Sequence, residues 1–413
     1  MMIKRISAYP IYLILSGADG MISSVIFTVN MIYQVTVVGL NPLQLVLVGT
    51  TLEATAFIFE IPTGVVADVY SRRLSVIVGY LLIGIGFLIE GLYPFFATVL
   101  LAQVIWGIGY TFTSGALEAW LSDEIGEENA GRGFLRAAQV VQFTTLAGIV
   151  ASVTLGSEHI NLPIVAGGAG YIALGIFLAL FMTEHGFLRR PQEERNSFHT
   201  MWDTFRGGLD MVQHRPMLST ILGIGLFYGI YSEGFDRLWT PYLLTFAFPV
   251  FNGMTTVAWF GLIRAGAILL GIAATEFVRR RVDTSSEPSV RRAMFAISAL
   301  MVTTLIGFAL SLNLAMAIAA YWVFSLLRQT TSPLYTAWVN QRLDPKVRAT
   351  VISMSSQVDA LGQIAGGPVV GVIGTALSLR AALAASATML SPVLLLFARA
   401  ARGDAERPVI AEE

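Results

Sequence analysis

The chain has 413 residues, of which 55% are hydrophobic and 13% charged, with 27 acids against 26 bases and a formal net charge of −1. A soluble domain carries about 25% charged residues, and a chain this apolar has too much nonpolar surface to bury, because the buried fraction levels off with size. Composition therefore excludes an ordinary soluble protein and points to the bilayer as solvent.

Lys4 and Arg5 precede an apolar run that continues to about residue 34. This run is too long for a signal-peptide core and has no small-residue cleavage site after it, so it reads as a first membrane helix. Further runs of about 20 mostly apolar residues, the length that crosses a bilayer, lie near 43–68, 73–95, 97–121, 134–156 and 163–183. A second set lies near 217–246, 254–278, 292–312, 314–340, 348–375 and 379–399. The expectation is an all-α membrane protein of twelve spans. Residues 1–183 form an N-terminal six-helix bundle, 184–216 a cytoplasmic linker, and 217–413 a C-terminal six-helix bundle with a short cytoplasmic tail. Within the linker Phe198, Trp202, Phe205, Leu209 and Val212 recur at helical spacing, the pattern of an amphipathic helix lying on the membrane surface.

Charge tests the span count independently, because Lys and Arg accumulate in cytoplasmic loops. With both termini inside, Arg237, Arg264 and Arg328 fall within spans and Arg380 is the sole base in an outer loop; every other Lys and Arg falls on the cytoplasmic side. One span more or fewer would scramble this alternation. There is no Cys, and the four His have no metal-site spacing, so disulfides and Cys-ligated metals are excluded and no metal centre is expected.

The loop after the second span reads Gly64-Val-Val-Ala-Asp68-Val-Tyr-Ser-Arg72-Arg73. Gly64 would allow close helix approach, Asp68 would face a helix N-terminus or a base, and Arg72 and Arg73 would pair with acids such as Asp123 below span 4. Such a cluster would latch one conformation. The pattern resembles the G-x-x-x-D-x-x-x-R-R/K signature of the major facilitator superfamily, at its expected place. Phe59-Glu60-Ile-Pro62-Thr-Gly64 and Glu118-Ala-Trp120-Leu-Ser-Asp123 make the chain look closest to the twelve-helix bacterial macrolide and tetracycline exporters.

There are departures from that resemblance. Proton-coupled drug antiporters often carry an Arg shortly before a G-x-G in span 4, whereas here Gln103 precedes Gly107 and Gly109. Span 5 lacks the antiporter G-P-x-x-G-G run. A similar run, Gly366-Gly367-Pro368-Val-Val-Gly371, stands in span 11, the pseudo-symmetric counterpart of span 5. A second copy of the loop signature, around Gly271, Glu276 and Arg279 to Arg281, is degenerate.

A charge near the bilayer centre is costly and normally faces the bundle interior or a water-filled cavity. The acids assigned to spans are Asp19, Glu53, Glu60, Glu118, Glu233, Asp236 and Asp359, and the bases Arg237, Arg264 and Arg328. The excess acid must be protonated or meet a cation. Glu53 and Glu60, seven apart, share a helix face; Asp19 shares one with Asn30, Tyr335 with Arg328, and Gln363 with Asp359. Glu233 and Arg237 have the i,i+4 spacing of a structural salt bridge. In the superfamily that the chain resembles, spans 1, 4, 7 and 10 line a cavity, with 2, 5, 8 and 11 at its flanks. That implies Asp19, Glu53, Asp236, Arg328 and Asp359 as proton-coupling or substrate residues. The competing reading is an ion pair of Asp236 or Asp359 with Arg328. Asn30, Tyr110, Glu118, Glu233, Tyr335, Trp338 and Gln363 are secondary cavity candidates; such aromatics stack on planar cations or serve as packing and interfacial belts.

The resemblance implies a secondary active transporter of two pseudo-symmetric six-helix bundles, exporting amphipathic or cationic drugs in exchange for protons. It would sit in the bacterial cytoplasmic (inner) membrane as a monomer with both termini inside. The alternative keeps the fold and carries a metabolite or lipid. No phosphate loop, metal cluster or nucleophile–base set is present, so neither an enzyme nor a cofactor is expected beyond the proton gradient, and no nucleic-acid partner.

Overall fold

The computed structural model describes residues 7–187, 216–251, 253–342 and 345–405. Its elements are α1 (Ala8–Phe27), α2 (Asn30–Thr36), α3 (Pro42–Val69), α4 (Arg72–Leu92), α5 (Phe96–Thr113), α6 (Ala116–Ile125), α7 (Glu127–Glu158) and α8 (Leu162–Phe181). They continue with α9 (Pro216–Leu244), α10 (Thr256–Arg281), α11 (Glu287–Ala309), α12 (Leu314–Arg342), α13 (Pro345–Ala376), α14 (Leu379–Leu390) and α15 (Pro392–Ala405). The pairs α1–α2, α5–α6 and α14–α15 are each one crossing segment with a break, so the fifteen helices make the twelve expected spans. The break between α5 and α6 lies at Gly115, whose φ of +70° is costly for any residue with a Cβ. The expected amphipathic linker helix falls outside the described residues.

Ten segments are long and apolar enough to cross a membrane on length and composition alone. The other two long helices are α9 and α12, each of 29 residues. They are less apolar because α9 carries Glu233, Asp236 and Arg237, while α12 carries Arg328 in a run of Gln, Thr and Ser. Helix α7 begins at Glu127, earlier than the apolar run suggests. At 1.5 Å per residue its 32 residues span about 48 Å, so its first turns extend beyond a hydrocarbon core of about 30 Å. Proline lies inside α3, α9, α12 and α13, as packed membrane helices tolerate.

Contacts divide the chain into two compact units. The first comprises the described parts of Met1–Leu40, Thr51–Thr200 and Pro249–Ala265; the second comprises those of Asn41–Thr50, Met201–Phe248 and Gly266–Glu413. In the first unit a single apolar cluster runs through Tyr12, Tyr33, Phe87, Trp120 and Leu178. There α4 and α8 meet backbone to backbone: a Cβ on Gly84 would stand 2.7 Å from the Gly168 carbonyl oxygen. In the second unit Trp338, Tyr231, Phe308 and Phe324 are fully buried. Its closest crossing joins α9 to α13, where Cβ atoms on Gly229, Gly362 and Gly366 would strike the backbones of Asp359, Leu226 and Ile230. This explains the glycine run of span 11: Gly366 fits against Ile230, and Gly367 against Val46 and Glu233.

Candidate functional site

The tight α9–α13 crossing fixes Asp359 beside α9, and α12 completes a cavity of about 420 Å³ inside the second unit. Its wall carries Tyr228, Tyr231 and Ser232 from α9, Arg328, Thr331 and Tyr335 from α12, and Ser355, Asp359 and Gln363 from α13. Arg328 donates to both carboxylate oxygens of Asp236, at 2.7 Å for the Nη2–Oδ2 bond. Both side chains are more than a third exposed, so the fork faces open space. The guanidinium also lies 6.0 Å from the centroid of the Tyr231 ring, within cation–π range. Gln363 donates to Asp359 at 2.8 Å. Tyr335 donates to the Ile221 carbonyl at 3.0 Å and shares a hydrogen bond with Ser355, while Tyr228 shares one with Ser298.

Among the expected coupling residues, Asp236, Arg328 and Asp359 are therefore brought together, with Tyr335 and Gln363 beside them. Asp19 and Glu53 belong to the first unit. Asp19 accepts from the Tyr171 hydroxyl at 3.1 Å. A break in the helix at Thr28 and Val29 stands between it and Asn30, which is bound to Glu90. Glu53 is half-buried, whereas Glu60 and Glu118 are exposed, as is Tyr110.

Two expectations are corrected. Trp338 is not a cavity residue: it is fully buried, donates to Glu287 at 3.0 Å and packs edge-on against Phe397. Its ring also lies 6.3 Å from that of Tyr335, on the side turned to the packed core. Glu233 is likewise buried, in its i,i+4 pair with Arg237 at 2.8 Å, and a Cβ on Gly49 would overlap both side chains. The backbone at Gly49 thus roofs the pair, which is structural.

The loop cluster assembles inside the first unit. Arg72 binds Asp123 directly and lies 4.0 Å from Asp68. The Arg73 guanidinium donates to the Ala179 carbonyl. Gly64 departs from expectation: a Cβ there would meet no described atom within 4 Å, so no helix approaches it closely. Glu184, read only as linker, accepts from the Arg73 backbone at 2.9 Å and from Ser71 Oγ at 2.6 Å. Trp120 and Glu124 hold the next residues, Trp120 through the Thr183 carbonyl and Glu124 through the Gly186 amide.

Glu90 does not stand among the acids assigned to spans above, yet it is completely buried. Asn30 and Gln34 donate to its Oε1 at 2.8 and 2.7 Å, and Gln103 to its Oε2 at 3.2 Å. The available signal was an acid inside an apolar run, matched by carboxamides in two other spans. Among the described residues no group of three His, Cys, Asp or Glu side chains is arranged to hold a metal ion.

The Major Facilitator Superfamily profile matches residues 11–367. The chain is 24% identical, over 86% of both chains, to the uncharacterized MFS-type transporter YxaM of Bacillus subtilis (strain 168). Among solved structures it is similar to the nucleoside transporter NupG, with a TM-score of 0.75 and 14% identity over 95% of this chain and 99% of that one. It is also similar to an inward-facing bacterial homologue of the human lysosomal transporter Spinster, with a TM-score of 0.73 and 15% identity over 96% of both chains. A peptide transporter POT bound to sulfate gives 0.75 and 13% identity over 96% and 94%. At these identities the three structures show a shared fold.

Proposed function

The chain belongs to the Major Facilitator Superfamily, and from that premise we propose that this multi-pass secondary transporter exports small amphipathic or cationic molecules in exchange for protons. The observation that carries the reading is the charge balance of the cavity. One guanidinium, Arg328, is forked onto Asp236. Asp359, on the same wall, is held by a neutral carboxamide, Gln363. The three charged groups together are net negative, which suits a cation or a proton rather than an anion. The volume is in the range of ligand pockets, about 300–1,000 Å³, and the rings of Tyr228, Tyr231 and Tyr335 offer faces to a planar cation.

In this reading the substrate cation and the proton compete for Asp359, so release of one favours uptake of the other. Each shifts the conformational equilibrium only by its differential affinity for the two states. The cluster of Asp68, Arg72, Arg73 and Asp123, with Glu184, serves as a latch on one state. The loop charges support a cytoplasmic membrane with both termini inside.

The test is ethidium or tetraphenylphosphonium accumulation in cells deleted for their own pumps. The parent chain should lower accumulation several-fold, and a protonophore or Asp359→Asn should abolish the effect. Unchanged accumulation across a broad panel of organic cations would refute cation export. The second reading, a proton-coupled transporter of a polar metabolite, draws on the hydroxyls of Thr331, Ser355 and Tyr335 around the cavity. Uptake driven by an imposed pH gradient, with no effect on the cation panel, would select it.

A further inference from the structure

The first unit contains a second polar centre, distinct from the cavity of the second unit. Glu90 and Gln34 are 0% exposed, Gln103 2% and Asn30 4%. All three carboxamides turn their N–H groups toward the Glu90 carboxylate, and Gln34 donates to Asn30 Oδ1 as well, at 3.1 Å. The Tyr33 hydroxyl donates to the Glu90 backbone carbonyl at 2.8 Å. Two acceptors are left over: Gln34 Oε1 and Gln103 Oε1 are buried with no hydrogen-bond partner among the described residues. Buried polar atoms are rarely left in this condition, because desolvation is then uncompensated. A stable bundle does not require it, since well-packed apolar side chains could replace such a cluster without loss of stability.

Both orphaned oxygens belong to glutamines, whose amides can turn over and place the N–H groups where the oxygens now stand. The terminal torsion of a glutamine is broad and roughly two-fold, and exchanging its oxygen and nitrogen changes the donor pattern while nearly preserving shape. Turned over, Gln34 and Gln103 would present oxygens to the same point that their N–H groups now face. Together with both Glu90 oxygens and Asn30 Oδ1 they would form an all-oxygen donor set bearing a single negative charge. Hard cations take such ligands. One carboxylate among neutral oxygens balances a monovalent ion and leaves a divalent one half-neutralised. A proton makes poorer use of the set: it binds one carboxylate oxygen, and the resulting O–H satisfies only one of the two orphaned acceptors. The first span also breaks beside the cluster, between α1 and α2, so that Asn30 and Gln34 stand on a separate short helix. Transporters commonly frame ion sites with discontinuous helices.

We infer that Glu90, Gln34, Gln103 and Asn30 form a binding site for a monovalent metal cation such as sodium. The site lies within the first unit and is independent of the cation reading of the Asp359 cavity.

Sodium binding by the purified full-length chain in detergent, with no transported solute present, tests the inference. The thermal unfolding midpoint is followed as choline chloride is replaced by sodium chloride at constant ionic strength, alongside ²²Na⁺ equilibrium dialysis. The parent should show a saturable rise in midpoint and saturable retention of the isotope. Glu90→Gln should abolish both, and Gln103→Leu should weaken sodium affinity at least tenfold. Should Glu90→Gln fail to fold, Gln103→Leu and Gln34→Leu carry the test through the isotope alone. A parent that retains no sodium, variants that bind it like the parent, or a midpoint that responds to pH but not to sodium would each overturn the assignment.

Discussion

The two units treat buried acid in opposite ways. In the first, Glu90 is sealed from solvent and answered by carboxamides from α2 and α5. In the second, Asp359 stands at a cavity and is answered by a glutamine, while Asp236 is answered by Arg328, a guanidinium of the cavity wall. The Glu233–Arg237 pair shows that the second unit also builds closed charge, since Glu233 is buried and the backbone of Gly49 stands over both side chains, leaving Arg237 only 14% exposed. A sealed group is held by its neighbours, so changing it disturbs folding along with anything the cluster binds. A group at a cavity keeps the freedom to exchange partners, so changing it disturbs binding first.

That contrast can be broken by substitution. The largest expected effect on stability is at the sealed ion pair: Arg237→Met would leave Glu233 buried without its salt-bridge partner and should destabilise the chain by about 3–5 kcal/mol, read as a lowered unfolding midpoint. Next comes Glu90→Leu, which strips the acceptor from three buried carboxamides and should cost about 2–4 kcal/mol, given about 1–3 kcal/mol for each buried group left unsatisfied and partial relaxation. Arg328→Met should cost less than Arg237→Met, because its fork with Asp236 is more than a third exposed. Its transport, measured as cation accumulation, should nonetheless fall at least tenfold. A large stability loss at Arg328 with transport retained would erase the distinction between sealed and open charge. The smallest effect is expected at Gly64→Ala, where a Cβ meets no described atom. Replacing a helix-interior glycine should stabilise by about 0.5–1 kcal/mol, and any transport defect there would report a conformation in which another helix closes on Gly64.

The twelve spans were legible because each is a local property. A segment in lipid must satisfy its backbone internally and present apolar side chains on most faces, and the loop bases record the crossings. The two long helices outside the ten apolar segments, α9 and α12, depart from that pattern where charged and polar residues concentrate. The Arg72 cluster was legible from its spacing, and the Glu233–Arg237 bridge from its i,i+4 register. The Asp236–Arg328 fork was one of two pairings open to the sequence, because it joins residues 92 apart and depends on how α9 meets α12. Trp338 misled because a helical stripe gives spacing and not the direction in which the stripe faces. Glu90 and Glu184 were hidden for the same reason: their partners come from other helices.

The sequence by itself determined the membrane class, the number of spans, the family signature and the excess of acid over base within the spans. Periodicity, composition and loop charge carry those properties one segment at a time. Only the tertiary structure decided which acids are sealed and which face a cavity. Glycine contacts such as Gly229 on Asp359 and Gly49 on Glu233 and Arg237 set how closely helices approach, and that approach determines which side chains meet and which remain open to a ligand.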